Sequence, residues 1–118
     1  MKFKFYEYEK CSTCTKAKKW MVARGVEFEK IPIREKPPSE KVLQQLFKIQ
    51  DQNLKKLFNT SSKDYRDPKI KDSLPNWSLS QAIENLRSHG NLIKRPVLVG
   101  DGLVLQGFNA EEWERQLG

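Results

Sequence analysis

The chain of 118 residues has two cysteines, one histidine and no long apolar run. A zinc site of cysteine and histidine needs about four ligands, so these residues cannot close one within a single chain. Two cysteines are also too few for a secreted domain built on disulfides. The longest apolar stretches are far shorter than a membrane span, and residues 1–7 carry too much charge for a signal peptide. We therefore expect a cytoplasmic protein without membrane segments.

Positive charge is in excess but carries little information about function. Lysine and arginine number 22 against 15 aspartates and glutamates, which gives a formal net charge of +7. The lysines are scattered through every segment, and the densest group, Lys16, Lys18 and Lys19, lies on a predicted helix that also carries core residues. A solvated helix face is the favoured interpretation, so we do not predict sequence-specific binding of nucleic acid.

Both cysteines lie in one motif, Cys11-Ser12-Thr13-Cys14, between a predicted strand and a predicted helix. The strand is indicated by apolar residues at 3, 5 and 8, and the helix by apolar residues at helical spacing from 15 to 24. Gly25 is the predicted C-cap, because glycine adopts the left-handed conformation at little cost. Cys11 is therefore expected at, or just ahead of, the N-terminus of the helix.

This position favours a reactive sulfur at Cys11. Unpaired backbone N–H groups and the helix dipole stabilise negative charge there, and Lys10 and Lys16 add positive charge nearby. Cys14 follows within the helix and is the better shielded thiol. We predict that Cys11 is a nucleophile and that Cys14 resolves the adduct that it forms.

The motif has three other interpretations besides redox chemistry. A zinc site shared between chains, or completed by carboxylates, stays open, since His89 is the one histidine. A purely structural disulfide would close a very short loop and constrain little of the unfolded chain. The cysteines could also be unrelated packing residues. A CxxC that opens a helix after a first strand favours reversible redox chemistry, without a metal.

The remaining pattern predicts a single α/β domain with a helical insertion at about residues 38–90. A second strand at 26–33, ending near Pro32, would pair in parallel with the first. One helix is predicted after Ser39, and a short helix at 54–58 is followed by a polar break at 59–62. A further helix begins after Ser78 or Ser80 and ends at Gly90. The pattern then predicts a hairpin at 96–106, which turns at Gly100-Asp101-Gly102, and a last helix capped by Asn109. The predicted order is therefore β-α-β, helices, β-β-α.

This order resembles the thioredoxin-like fold, and three local segments narrow the resemblance. They are the CxxC motif with Lys16 and Ala17 behind it, residues 59–66, and residues 94–97 with 107–112. On these segments the sequence resembles the arsenate reductase/Spx family of small glutaredoxin-related proteins along essentially its whole length. The resemblance implies a mixed sheet and a cis-proline at Pro96 that faces the active-site cysteine.

For function, the resemblance implies a thiol-disulfide oxidoreductase with Cys11 as the nucleophile. Its substrate would be a small oxyanion such as arsenate, or a disulfide, and its reductant glutathione, thioredoxin or glutaredoxin. Ser12, Thr13 and Arg95 would contact the substrate anion, through hydroxyl or N–H groups and the guanidinium. No bound cofactor is expected. Two further arginines of the arsenate enzymes fall near Ser61 and near Gln106 or Gly107, so much of their oxyanion cradle is missing.

The alternative is a redox-sensing transcriptional regulator of the Spx type, which binds RNA polymerase and uses the CxxC disulfide as a switch. Against it, the glycine expected for polymerase contact falls near Gln52, and the chain ends directly after its last helix. The arginine beside the switch cysteines also falls at Ser61. The oxidoreductase is therefore the favoured interpretation.

Overall fold

The computed structural model describes residues 2–100 and 102–117. Met1, Asp101 and Gly118 lie outside the described residues, so the predicted turn at 100–102 is described only on its two flanks. The chain divides into two compact units. The first unit comprises Met1–Pro32 and Arg95–Gly118, and the second comprises Ile33–Lys94.

The first unit contains a four-stranded mixed sheet. Its strands are β1 (Phe3–Glu7), β2 (Phe28–Pro32), β3 (Val97–Gly100) and β4 (Leu103–Gln106), in the order β2-β1-β3-β4. β1 pairs in parallel with β2 and antiparallel with β3, and β3 and β4 form the predicted hairpin. Pro32 ends the edge strand β2, as its missing N–H requires.

Two helices accompany the sheet: α1 (Ser12–Ala23) and α6 (Ala110–Leu117). α1 buries Cys14, Ala17 and Met21, which recur at helical spacing. These side chains belong to one buried cluster with residues of β1, β3, β4 and α6, namely Phe5, Leu98, Leu105 and Trp113. This cluster is the core of the first unit and fixes where α1 begins.

The capping residues of these two helices agree with the sequence prediction except for the C-cap of α1. α1 ends at Ala23 with Arg24, not Gly25, at the C-cap, and Gly25 follows with a φ of 71°. Gly25 therefore supplies the predicted left-handed conformation, at the position directly after the C-cap. Asn109 caps α6 as predicted, because its Oδ1 accepts a hydrogen bond of 3.1 Å from the Glu112 N–H.

The second unit is helical. It contains α2 (Glu40–Ile49), α3 (Lys63–Arg66), α4 (Pro68–Lys71) and α5 (Leu79–Ser88), with 3-10 segments at Leu54–Leu57, Leu74–Asn76 and Gly90–Leu92. Ser39 caps α2 as predicted. Of the two candidates for the α5 cap, Ser78 is the one used, in a capping box with Gln81.

The sequence prediction of the second unit was incomplete in two places. α3 and α4 follow the polar break at 59–62 and were not predicted, because a helix of four residues shows too little of the 3.6-residue period. α5 ends at Ser88, with His89 at its C-cap. Gly90, which was predicted to end this helix, instead begins a 3-10 segment.

The element order β-α-β, helices, β-β-α is that of the thioredoxin-like fold with a helical segment between β2 and β3, so the predicted fold class is confirmed. None of the helices among the described residues is long and apolar enough to cross a membrane.

Gly90 allows a close approach of backbone within the second unit, and its replacement should be costly. A Cβ at Gly90 would overlap the Ile33 carbonyl oxygen and lie 2.9 Å from the Arg34 Cα, both of them backbone atoms. We expect Gly90→Ala to lower the free energy of unfolding by about 3 kcal/mol, as overpacking against rigid atoms does. Urea denaturation measures this difference.

Gly25→Ala is the matched control, because a Cβ there meets nothing within 4 Å and only the left-handed backbone is strained. It should cost about 1 kcal/mol. Equal losses in the two variants would contradict the close approach at Gly90.

Candidate active site

Cys11 is the N-cap residue of α1, and its sulfur takes the role that a serine or aspartate oxygen usually has. The Cys14 N–H donates a hydrogen bond of 3.2 Å to the Cys11 Sγ. The Cys11 N–H donates to the Tyr8 carbonyl at 3.0 Å, and the Thr15 hydroxyl donates to the Cys11 carbonyl at 3.2 Å. The half-buried sulfur is thereby held against the first turn of α1, where N–H groups favour negative charge.

Cys14 is the third residue of α1, and its side chain is fully buried in the core of the first unit. Burial is the main reason that the pKa of the Cys14 thiol rises to about 12, and the contact with the Cys11 side chain raises it further. The positive charge of Arg95 acts in the opposite direction. The prediction that Cys14 is the better shielded thiol is confirmed.

Ser12 and Thr13 are the first two residues of α1, between the cysteines. The backbone N–H groups of such residues have no carbonyl partner within the helix. Ser12 is exposed and Thr13 half-buried. Their location at the start of α1 is compatible with the predicted contact with a substrate anion, which stays a prediction.

Arg95 and Pro96 lead into β3, and the peptide bond between them is cis, as the resemblance implied. The Arg95 guanidinium carbon lies 4.9 Å from the centre of the Tyr8 ring. Arg95 Nη1 is buried and has no hydrogen-bond partner. The Pro96 carbonyl accepts a hydrogen bond of 2.8 Å from the Gly107 N–H, which ties the start of β3 to the end of β4.

Two residues near the cysteines were not predicted as part of the site. The sequence pattern places residue 8 in the first strand, yet Tyr8 lies one residue beyond β1 with its ring beside Arg95. Glu7 is almost fully buried, and its Oε1 lies 2.8 Å from Lys18 Nζ. The Tyr8–Arg95 contact depends on the register of β1 against β3, and the Glu7–Lys18 pair depends on the rotation of α1. The sequence alone reveals neither.

No metal-binding group emerges from the part of the chain that the structure describes: residues 2–100 and 102–117 contain no cluster of three or more histidine, cysteine or acidic residues able to hold an ion.

The predicted site residues of the first unit thus form two neighbouring sets. Cys11 and Cys14 occupy the first turn of α1, and Arg95 and Pro96 the entry to β3, with the Arg95 charge acting on Cys14. A half-buried sulfur, a shielded second thiol and a cation with an unused donor can together support thiol chemistry on an anionic molecule. The fold and this arrangement define a thioredoxin-like protein with a CxxC at its first helix.

Comparison with known proteins narrows this class. The model of the ArsC family matches residues 6–116, and the chain belongs to the ArsC family. The protein YusI of Bacillus subtilis is 42% identical over 114 residues, which cover 97% of each chain.

Solved and curated relatives carry two kinds of name. The crystal structure of a possible arsenate reductase from Streptococcus mutans matches with a TM-score of 0.83 and 38% identity, covering 95% of this chain and 97% of that one. The global transcriptional regulator Spx of Listeria monocytogenes is 24% identical over 113 residues, covering 95% of this chain and 84% of the regulator. The chain is therefore similar both to a possible arsenate reductase and to a transcriptional regulator.

The buried Cys14 thiol should make stability depend on pH in alkaline solution. Its pKa rises from about 9.0 to about 12 on folding, so the native state keeps a proton that the unfolded state loses between these values. The stabilisation is complete below about pH 9 and is lost as the pH rises toward 12. The free energy of unfolding should fall by up to about 1.4 kcal/mol per pH unit in that window.

The measurement is urea denaturation of the reduced wild type and of Cys14→Ala at pH 8 and pH 10. The wild type should lose about 1 kcal/mol more than the variant between the two pH values. Parallel losses would show that the Cys14 thiol is not shielded in the native state.

Proposed function

We propose that the chain is a thiol-disulfide oxidoreductase of the ArsC family, in which Cys11 is the nucleophile and Cys14 the resolving thiol. The observation that carries this proposal is the contrast between the two sulfurs. Cys11 Sγ is half-buried and accepts an N–H hydrogen bond at a helix N-terminus, whereas Cys14 is fully buried and its side chain contacts that of Cys11. The more accessible sulfur suits attack on a substrate, and the buried sulfur lies where it can attack the resulting adduct.

The reaction has two exchange steps. The Cys11 thiolate attacks one sulfur of a substrate disulfide, the substrate S–S bond breaks, and the leaving thiolate takes a proton. Cys14 then gives up its proton and attacks the Cys11 sulfur, the mixed disulfide bond breaks, and the second half of the substrate leaves as a thiolate that takes up a proton. The substrate gains two electrons, and the protein is left with a Cys11–Cys14 disulfide.

A thiol reductant closes the cycle. Glutathione, or a thioredoxin or glutaredoxin, would return two electrons to the Cys11–Cys14 disulfide by the same exchange chemistry. The helix N-terminus and its Ser12 and Thr13 N–H groups would stabilise negative charge on the sulfur during both steps.

A disulfide substrate is favoured over arsenate. Arg95 offers one guanidinium with an unused buried donor, which suits a carboxylate or a single anionic group. The two further arginines of the arsenate enzymes have no counterpart at Ser61 and at Gln106 or Gly107. Cys14 also supplies an internal partner for Cys11 that the glutathione-dependent arsenate enzymes lack.

Cysteine variants test this assignment. The wild type should form an intramolecular disulfide in a redox titration followed by thiol-trapping mass spectrometry, and should turn over glutathione disulfide with a reductant. Cys14→Ser should accumulate a mixed disulfide at Cys11, because the resolving step is lost. Cys11→Ser should form no adduct and show no turnover, although serine still caps α1.

Arsenate is assayed on the same samples. An intact Cys11–Cys14 couple without turnover of any disulfide or of arsenate would contradict the oxidoreductase, and a mixed disulfide at Cys14 in the wild type would reverse the two roles.

A second candidate is a redox-switched regulator that binds RNA polymerase. It is favoured by the similarity to relatives named as the global transcriptional regulator Spx and the regulatory protein MgsR. The same CxxC would then change the chain's affinity for the polymerase instead of passing electrons to a substrate.

Binding to purified RNA polymerase distinguishes this candidate. For a regulator, the oxidised and reduced wild type should differ at least tenfold in affinity, while Cys11→Ser should be insensitive to oxidant. For the proposed oxidoreductase, neither redox form should bind the polymerase. The readout is fluorescence anisotropy of the labelled chain.

A further inference from the structure

We propose that Tyr8 is a positioning residue whose ring holds the Arg95 guanidinium so that Nη1 donates to an anionic group of the molecule that reacts at Cys11. The inference deepens the proposed function, because it gives the site a preference for anionic reactants and assigns that preference to a residue outside the CxxC.

Strand register brings Tyr8 and Arg95 together. β1 and β3 pair antiparallel, with Tyr6 opposite Val97. Tyr8 lies two residues after Tyr6, just past the end of β1, and Arg95 lies two residues before Val97, just ahead of β3. Because the two strands run antiparallel, the chain segments just beyond this pair lie side by side, and Tyr8 and Arg95 belong to these segments. The distance of 4.9 Å between the Arg95 guanidinium carbon and the Tyr8 ring centre agrees with this register.

The contact with the ring leaves one donor of the Arg95 guanidinium, Nη1, without a partner. An arginine above an aromatic ring contacts the ring through the flat face of the guanidinium, whereas the guanidinium N–H groups donate within the guanidinium plane. Arg95 Nη1 is buried without a hydrogen-bond partner, and none of the ion pairs among the described residues involves Arg95. A buried charged donor without a partner is costly, and an anionic ligand would remove that cost.

Tyr8 also links this cation to the reactive sulfur. Its carbonyl accepts the hydrogen bond of 3.0 Å from the Cys11 N–H, so the residue beneath Arg95 belongs to the turn that presents Cys11. The Arg95 charge already acts on the sulfur of Cys14 within the same motif. An anion bound at Nη1 would therefore lie near the cysteine pair.

Alkylation of Cys11 by two reagents of similar size and different charge tests the proposal without requiring turnover. Iodoacetate is an anion and iodoacetamide is neutral, and both transfer a carbon to the thiolate with loss of iodide. The measured quantity is the ratio of their rate constants at Cys11, followed by mass spectrometry on the reduced protein. Because a ratio is measured, changes in the general reactivity of Cys11 cancel.

We expect Arg95→Met to lower the iodoacetate to iodoacetamide ratio about tenfold, as loss of a charge-assisted hydrogen bond does. Tyr8→Leu should lower the ratio about threefold, because the guanidinium loses the ring that holds it. Tyr8→Phe keeps the ring face and should retain the wild-type ratio.

Arg24→Met is the matched control for charge. Arg24 lies 4.3 Å from the centre of the Trp20 ring and pairs with Glu114 at 2.5 Å, so this variant removes an arginine of the same unit that also contacts an aromatic ring. The ratio should not change. Circular dichroism of each variant verifies that it is folded before its rates are compared.

A wild-type ratio in folded Tyr8→Leu would overturn the role of Tyr8, and a wild-type ratio in Arg95→Met would overturn the anion site itself. A Tyr8→Phe variant that behaves like Tyr8→Leu would also contradict the proposal, because the hydroxyl and not the ring face would then be responsible. These outcomes are separate from a failure of the proposed function, which is judged by disulfide turnover.

Discussion

Burial of one face of α1 is the constraint on which the site depends. Ala17 and Met21 are fully buried against the sheet residues Phe5 and Leu98, and burial of a side chain such as Met21 contributes about 1.5–3 kcal/mol. The helix cannot slide or rotate without exposing these groups. Its first turn is thereby fixed just beyond the carboxyl end of β1, which makes Cys11 the N-cap and buries Cys14.

Much of the fold could be predicted from local patterns. The strand and helix periods on either side of the CxxC, the serine caps at Ser39 and Ser78, and the hairpin around Gly102 each depend on neighbouring residues. Asp51 and Gln52 show the limit, because both adopt positive φ, 57° and 59°, without being glycine. Their N–H groups bond to Lys48 and Phe47 carbonyls as α2 ends, a stabilisation that residue types alone do not reveal.

The site could be predicted only as far as its residues are close in sequence. The CxxC at a helix start gave Cys11 a capping position and Cys14 a shielded one, both of which the structure has. Tyr8 beside Arg95 depends on how β1 and β3 align, and alignment between strands distant in sequence is decided by the packed sheet. Arg95 itself was identified through family resemblance, since an isolated arginine carries no pattern.

Because of the hydrogen bond from the Cys14 N–H, the Cys11 Sγ has both a structural and a chemical role. The sulfur that is available for chemistry is also the acceptor that completes the first turn of α1. Adding any group to this sulfur changes how well it accepts that hydrogen bond, and therefore how firmly the start of the helix is held. Covalent modification of the Cys11 sulfur is therefore expected to change the conformational order of the first turn of α1.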